Sequence, residues 1–123
     1  MKYNVLKPEL FKKDTKLLCK YDLWENKAMT PTHICHLKSF GTKDDKKYGT
    51  DNHFWMGFNA KNHTLEIKCD SYGGMCNFSF TKDDLKYKVL SRNDYECIKY
   101  TFELIDELIK EKIIEEKNGK NKY

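Results

Sequence analysis

The chain lacks most of the features that would announce a chemistry. Arg92 is its only arginine among 23 basic residues, which argues against specific base readout, where bidentate arginine is the commonest device. No window approaches the roughly twenty apolar residues that span a bilayer, and Met1 to Lys13 carries no apolar run of the export-signal kind, so a cytoplasmic protein without a membrane partner is expected. No internal repeat is present. Gly73-Gly74 has neither the lysine nor the following helix of a phosphate loop, and a hairpin turn accounts for it better. The five cysteines are odd in number and scattered through apolar positions, which suits reduced thiols in a core rather than a disulfide framework.

What is there suffices for one folded domain. With 39% hydrophobic and 34% charged residues in 123, the chain can bury a core and still solvate its surface. The informative stretch is Asn52 to Phe80. The loops Ala60-Lys61-Asn62-His63, with Asn62 suited to a left-handed conformation, and Ser71-Tyr72-Gly73-Gly74 would close two hairpins. In that register Phe54, Met56 and Phe58 face Cys69, Ile67 and Leu65, which in turn face Cys76, Phe78 and Phe80. Trp55, Gly57, Glu66, Lys68 and Met75 then point the other way.

Elsewhere the signals vary in strength. Pro8 can open one helical turn that tucks Leu10 and Phe11 against the core. Alternation marks strands at Thr15 to Trp24 and Thr32 to Phe40; in the second, either Ile34, His36 and Phe40 or His33, Cys35 and Leu37 can face inward. Gly41 to Asn52 has almost nothing apolar except Tyr48 and reads as a mobile loop. Thr81 to Asp84 resembles a helix start, and Ser91 with Asp94 forms a clearer one, with Leu90 and Tyr95 at staple spacing.

From Arg92 to about Glu116 the positions Tyr95, Ile98, Phe102, Ile105 and Ile109, widened by Thr101, Leu108 and Ile113, draw one apolar stripe. Matching that stripe to the apolar sheet face gives the expected fold class: α+β, an antiparallel sheet of about five strands with its central meander over 53–80, packed against one long C-terminal helix over about 92–116. The domain is expected over 1–116, with 117–123 a disordered basic tail. Asp94 to Glu116 holds eight acids against three lysines, so the helix should show an acidic outer face on an otherwise basic molecule.

His33, Cys35 and His36 with Cys69 and Cys76 supply zinc-ligand types, but not the paired ligands on turns that zinc modules use; no metal and no cofactor are expected. Cysteine and histidine are available for nucleophilic catalysis, yet no residue order or elbow selects a pair, so no catalytic residues are assigned. Trp55, Lys68 and Tyr72 could hold a single nucleic-acid strand by stacking and charge, against which stand a net charge of only +4 and the acidic helix. The favoured reading is a non-enzymatic protein-binding module. Its anchors are Trp55, Tyr72 and Met75 on the outward sheet face, with Glu103 and Glu107 on the acidic helix face. In size and composition the chain is similar in type to small phage or mobile-element proteins that inhibit a host factor, anti-CRISPR proteins among them. That likeness carries no motif, and implies a host protein, itself nucleic-acid-binding, as partner; direct binding of single-stranded nucleic acid is the alternative.

Overall fold

The computed structural model describes residues 2–11, 24–25, 33–70, 80–87 and 90–117. In chain order these form β1 (Lys2–Val5), a 3-10 turn (Pro8–Phe11), β2 (Trp24–Glu25), β3 (His33–Phe40), α1 (Lys43–Tyr48), β4 (Asn52–Asn59), β5 (Thr64–Asp70), α2 (Asp84–Tyr87), α3 (Arg92–Lys110) and β6 (Ile114–Glu116). The strands make a six-stranded sheet in the order β2-β3-β4-β5-β1-β6, with every pairing antiparallel. A mixed α+β fold with α3 laid on the sheet is thus what the sequence pattern anticipated. No helix among the described residues is long and apolar enough to cross a membrane.

The β4–β5 hairpin holds the anticipated register: Phe54 opposes Cys69, Met56 opposes Ile67 and Phe58 opposes Leu65. All six are buried, and burial along β4 alternates residue by residue. The hairpin's left-handed residue is His63 (φ 55°), not Asn62. Asn59 Oδ1 accepts the backbone N–H of Lys61 at 2.9 Å, and Asn62 Oδ1 accepts the Thr64 hydroxyl at 2.6 Å, which moves the corner one residue on. On β3, Ile34 opposes Phe58, His36 opposes Met56 and Phe40 opposes Asn52, so this set of positions shares the core face.

The far side of β5 corrects the expected meander. Leu65 is paired with Tyr3 of β1 rather than with Phe80, and the Phe80 N–H donates to the Cys69 carbonyl at 3.1 Å. The expected partners Cys76 and Phe78 lie outside the described residues, as do nearly all of the strand expected at Thr15 to Trp24 and most of the 117–123 tail.

Helix α3 starts as its sequence dictates. Ser91 accepts the Asp94 N–H at 3.1 Å, and the Asp94 carboxylate accepts the Ser91 N–H at 3.3 Å, completing a capping box. The same carboxylate accepts a 2.6 Å hydrogen bond from Asn52 Nδ2, a side chain only 2% exposed. This bond pins the helix start to the head of β4. The stripe that packs on the sheet is Cys97, Ile98, Thr101, Leu104, Ile105 and Leu108. It is rotated from the expected one, leaving Tyr95 48% and Ile109 37% exposed. Phe54 meets Tyr100 edge-on at 5.1 Å between ring centroids.

The helix ends at Lys110, short of the expected Glu116. Lys112 takes a left-handed conformation (φ 57°), its N–H donates to the Ile109 carbonyl, and the Ile113 N–H donates to that of Leu108 at 2.9 Å. This is a Schellman turn closed without glycine, with Leu108 and Ile113 both buried beneath it. The reversal delivers Ile114 to pair with Val5, so β6 becomes the edge beside β1.

The stretch Gly41 to Asn52, expected as a loop, also contains a helix. Thr42 and Asp45 form a capping box, and Gly49 closes α1 at φ 73°. Asn93 Nδ2 donates to Asp45 Oδ2 at 3.0 Å, tying α1 to the first turn of α3. That bond, with those from Thr42 and Thr50, holds the Asp45 carboxyl down to about 2.

Tyr3 gives the fold a testable alkaline limit. Burial first, then the carboxylates of Glu116 and Asp106, push its phenol up from 10.0 to about 12. The unfolded chain therefore releases this proton first, and stability should fall as pH rises from about 10 toward about 12. Denaturant melts across that range should show Tyr3→Phe losing less stability than wild type; identical profiles would exclude Tyr3 as a source of the loss.

Candidate binding face of the sheet

Helix α3 covers one face of the sheet, through Phe54, Met56, Phe58, Leu65 and Ile67, so alternation leaves His53, Trp55, Gly57 and Asn59 of β4 on the other. Register extends that outer face sideways: Trp55 lies between Leu37 and Lys68, and Gly57 between Cys35 and Glu66. Glu66 in turn opposes Lys2.

Trp55 is partly buried for a local reason. A methyl group on Gly57 would come within 2.5 Å of Trp55 Cη2 and 2.8 Å of Cζ2, so the indole lies along its own strand over the missing side chain. A glycine inside a strand leaves a gap in the sheet surface, and here the ring fills it. Lys68 Nζ sits 5.3 Å from the ring centroid, close enough for a cation–π contact. Beside the ring opens a depression of about 310 Å³, walled by Trp55, Gly57 and Asn59 and edged by Lys2, Glu66 and Lys117. Lys2, Glu66 and Lys117 make no ion pair among the described residues. The charges around the indole are thus of both signs, and these three are not ion-paired among the described residues.

Of the other sequence-derived anchors, the two on α3 do not join this face. Tyr72 and Met75 lie outside the described residues. Glu103 is exposed on α3 and Glu107 partly so, on the opposite side of the sheet from Trp55. The acidic helix face is also less bare than its composition implies: Arg92 pairs with Glu96 at 3.0 Å, Lys99 with Glu103 at 3.9 Å and Lys82 with Asp106 at 3.5 Å. Such exposed pairs add little stability, but each sets a cation beside an acid and lowers the local field. Sequence reasoning misses Lys2 and Lys117, because their place on the outer face depends on β1 docking between β5 and β6.

Two arrangements bear on chemistry. Asp51 Oδ2 and His53 Nε2 are 2.8 Å apart, and Ser39 opposes His53 in register. No hydrogen bond joins Ser39 to His53, so this pair does not make the base–nucleophile contact. The conceivable zinc set is split by register: His33 and Cys35 oppose Asn59 and Gly57 on the outer face, whereas Cys69 is on the core face opposite Phe54. No protein-family model, no curated protein and no solved structure matches this chain.

Proposed function

We propose that this chain is a non-enzymatic protein-binding module whose docking surface is the outer sheet face centred on Trp55. The observation that carries the reading is the placement of a partly exposed indole, packed over Gly57, beside a depression edged by charges of both signs that make no ion pair among the described residues. Tryptophan is among the residues most enriched at the energetic centres of interfaces, and a rim of mixed charge selects a partner more than it strengthens binding. Glu66 in the middle of this surface disfavours a phosphate backbone more than it disfavours a peptide. A small domain acting by occlusion suits an inhibitor of a host nucleic-acid-binding factor, and that partner class is part of the proposal.

A second reading has one specific support. Lys68 against Trp55, with Lys2 and Lys117 along the same depression, is a combination that also holds single-stranded nucleic acid. Affinity capture from a host lysate, with and without nuclease, separates the two when Trp55→Ala and the Glu103→Lys/Glu107→Lys double variant are run beside wild type. A protein retained through nuclease, lost with Trp55→Ala and kept by the double variant, is the expected result. Loss of all captured material on nuclease treatment would favour the nucleic-acid reading. Loss with the double variant alone would move the site to α3.

A further inference from the structure

We infer that the outer face takes an acidic, extended segment of its partner, with an apolar or aromatic side chain on Trp55 and carboxylates between Lys2 and Lys117. This deepens the protein-binding reading and rests on it. Tyr3 and Glu116 are the last pair of the β1–β6 ladder, and Lys2 and Lys117, each the next residue along, both line the depression. Like charges close together on a sheet repel, and neither lysine makes an ion pair among the described residues. Glu66 opposes Lys2 in register yet does not bridge to it. A carboxylate placed between the two ammonium groups removes their repulsion and gains charge-assisted hydrogen bonds.

Dimensions favour a segment over a small molecule. From β4, which carries Trp55, to β6, beside which Lys117 lies, there are three interstrand steps, about 14 Å at the usual spacing. An extended chain covers that span in about four or five residues. Glu66 lies between the two ends and repels acids placed over the middle. The pattern selected is therefore a large apolar residue separated by a few uncharged ones from one or more acids. Lys68, already at the indole, can accept a further carboxylate at the aromatic end.

The test is a fluorescence titration of full-length protein carrying Trp24→Phe, so that Trp55 reports alone. The probes are a random glutamate–tyrosine copolymer, a lysine–tyrosine copolymer and oligothymidylate. Saturable quenching is expected with the glutamate–tyrosine copolymer, weakened about tenfold or more by Lys2→Glu with Lys117→Glu, at an unchanged melting temperature. Equal response to the lysine copolymer, or indifference to the double reversal, overturns the inference. Lysine-dependent binding of oligothymidylate in preference to the acidic copolymer overturns it in favour of nucleic acid. If the copolymer fails to bind while Trp55→Ala still abolishes protein capture, the acidic-segment inference falls and the protein-binding reading stands. Copolymer binding with capture indifferent to Trp55→Ala would show that the captured protein docks elsewhere, and would overturn the outer-face reading together with the inference that rests on it.

Discussion

Truncating Phe54 to alanine is expected to cost about 3–5 kcal/mol of folding stability, far more than any surface substitution should. Phe54 has no solvent exposure and sits in the middle of the core face, opposite Cys69 on β5 and Lys38 on β3. Its ring meets Tyr100 edge-on, so the truncation empties a volume that both the sheet and α3 rely on. Only partial collapse is open to the neighbours, because Met56, Ile98 and Ile67 are themselves fully buried. Urea unfolding of the variant should give a lower midpoint at a similar slope. A loss below about 1 kcal/mol would mean that α3 does not pack on this face of the sheet.

Trp55→Ala should behave in the opposite way, with a modest cost in stability and a large one in binding. The indole is partly exposed and touches the sheet through Gly57, so its removal uncovers a glycine gap rather than opening a core cavity. The expected stability loss is about 1–2 kcal/mol, from the apolar area that the ring shares with the strand. Binding to the captured partner should weaken by about 2 kcal/mol or more, as for an aromatic at the centre of an interface. Thermal melts and titration of the same preparation decide between the roles. A stability loss in the range expected for Phe54, with affinity unchanged, would make Trp55 a structural residue and remove the outer face from the function.

The parts of this fold that can be read from sequence are those in which local chemistry and hydrophobic pattern agree. In β4 and β5 alternation and a four-residue loop select one pairing, and Ser91 with Asp94 announces α3 without any tertiary knowledge. Pro8 marks its turn in the same way. The failures share a cause. β1 is four residues, Lys-Tyr-Asn-Val, whose alternation is too short to stand out; its place is set by partners about sixty and more than a hundred residues away, so sequence pattern assigns the edge of β5 to the nearer apolar stretch. Helix α1 carries its capping box and C-terminal glycine openly, but buries no residue, and an element without an apolar face gives no periodic signal. The apolar stripe and Gly119 carry the expected end of α3 too far, whereas Lys112 makes the left-handed turn because Ile113 gains burial by it. Of the candidate site, Trp55 is legible from alternation alone. Its lysine neighbours on β1 and beyond β6 require the topology.

Hydroxyl-radical footprinting of the free and partner-bound protein tests the docking surface most directly, because indole oxidation reports solvent access at Trp55 while modification along α3 reports the opposite side of the sheet. Strong protection of Trp55 on complex formation, with Tyr95 and the exposed positions around Glu103 unchanged, is the expected result. Protection confined to α3, with Trp55 as reactive in the complex as in the free protein, would contradict the assignment of the outer sheet face as the binding surface.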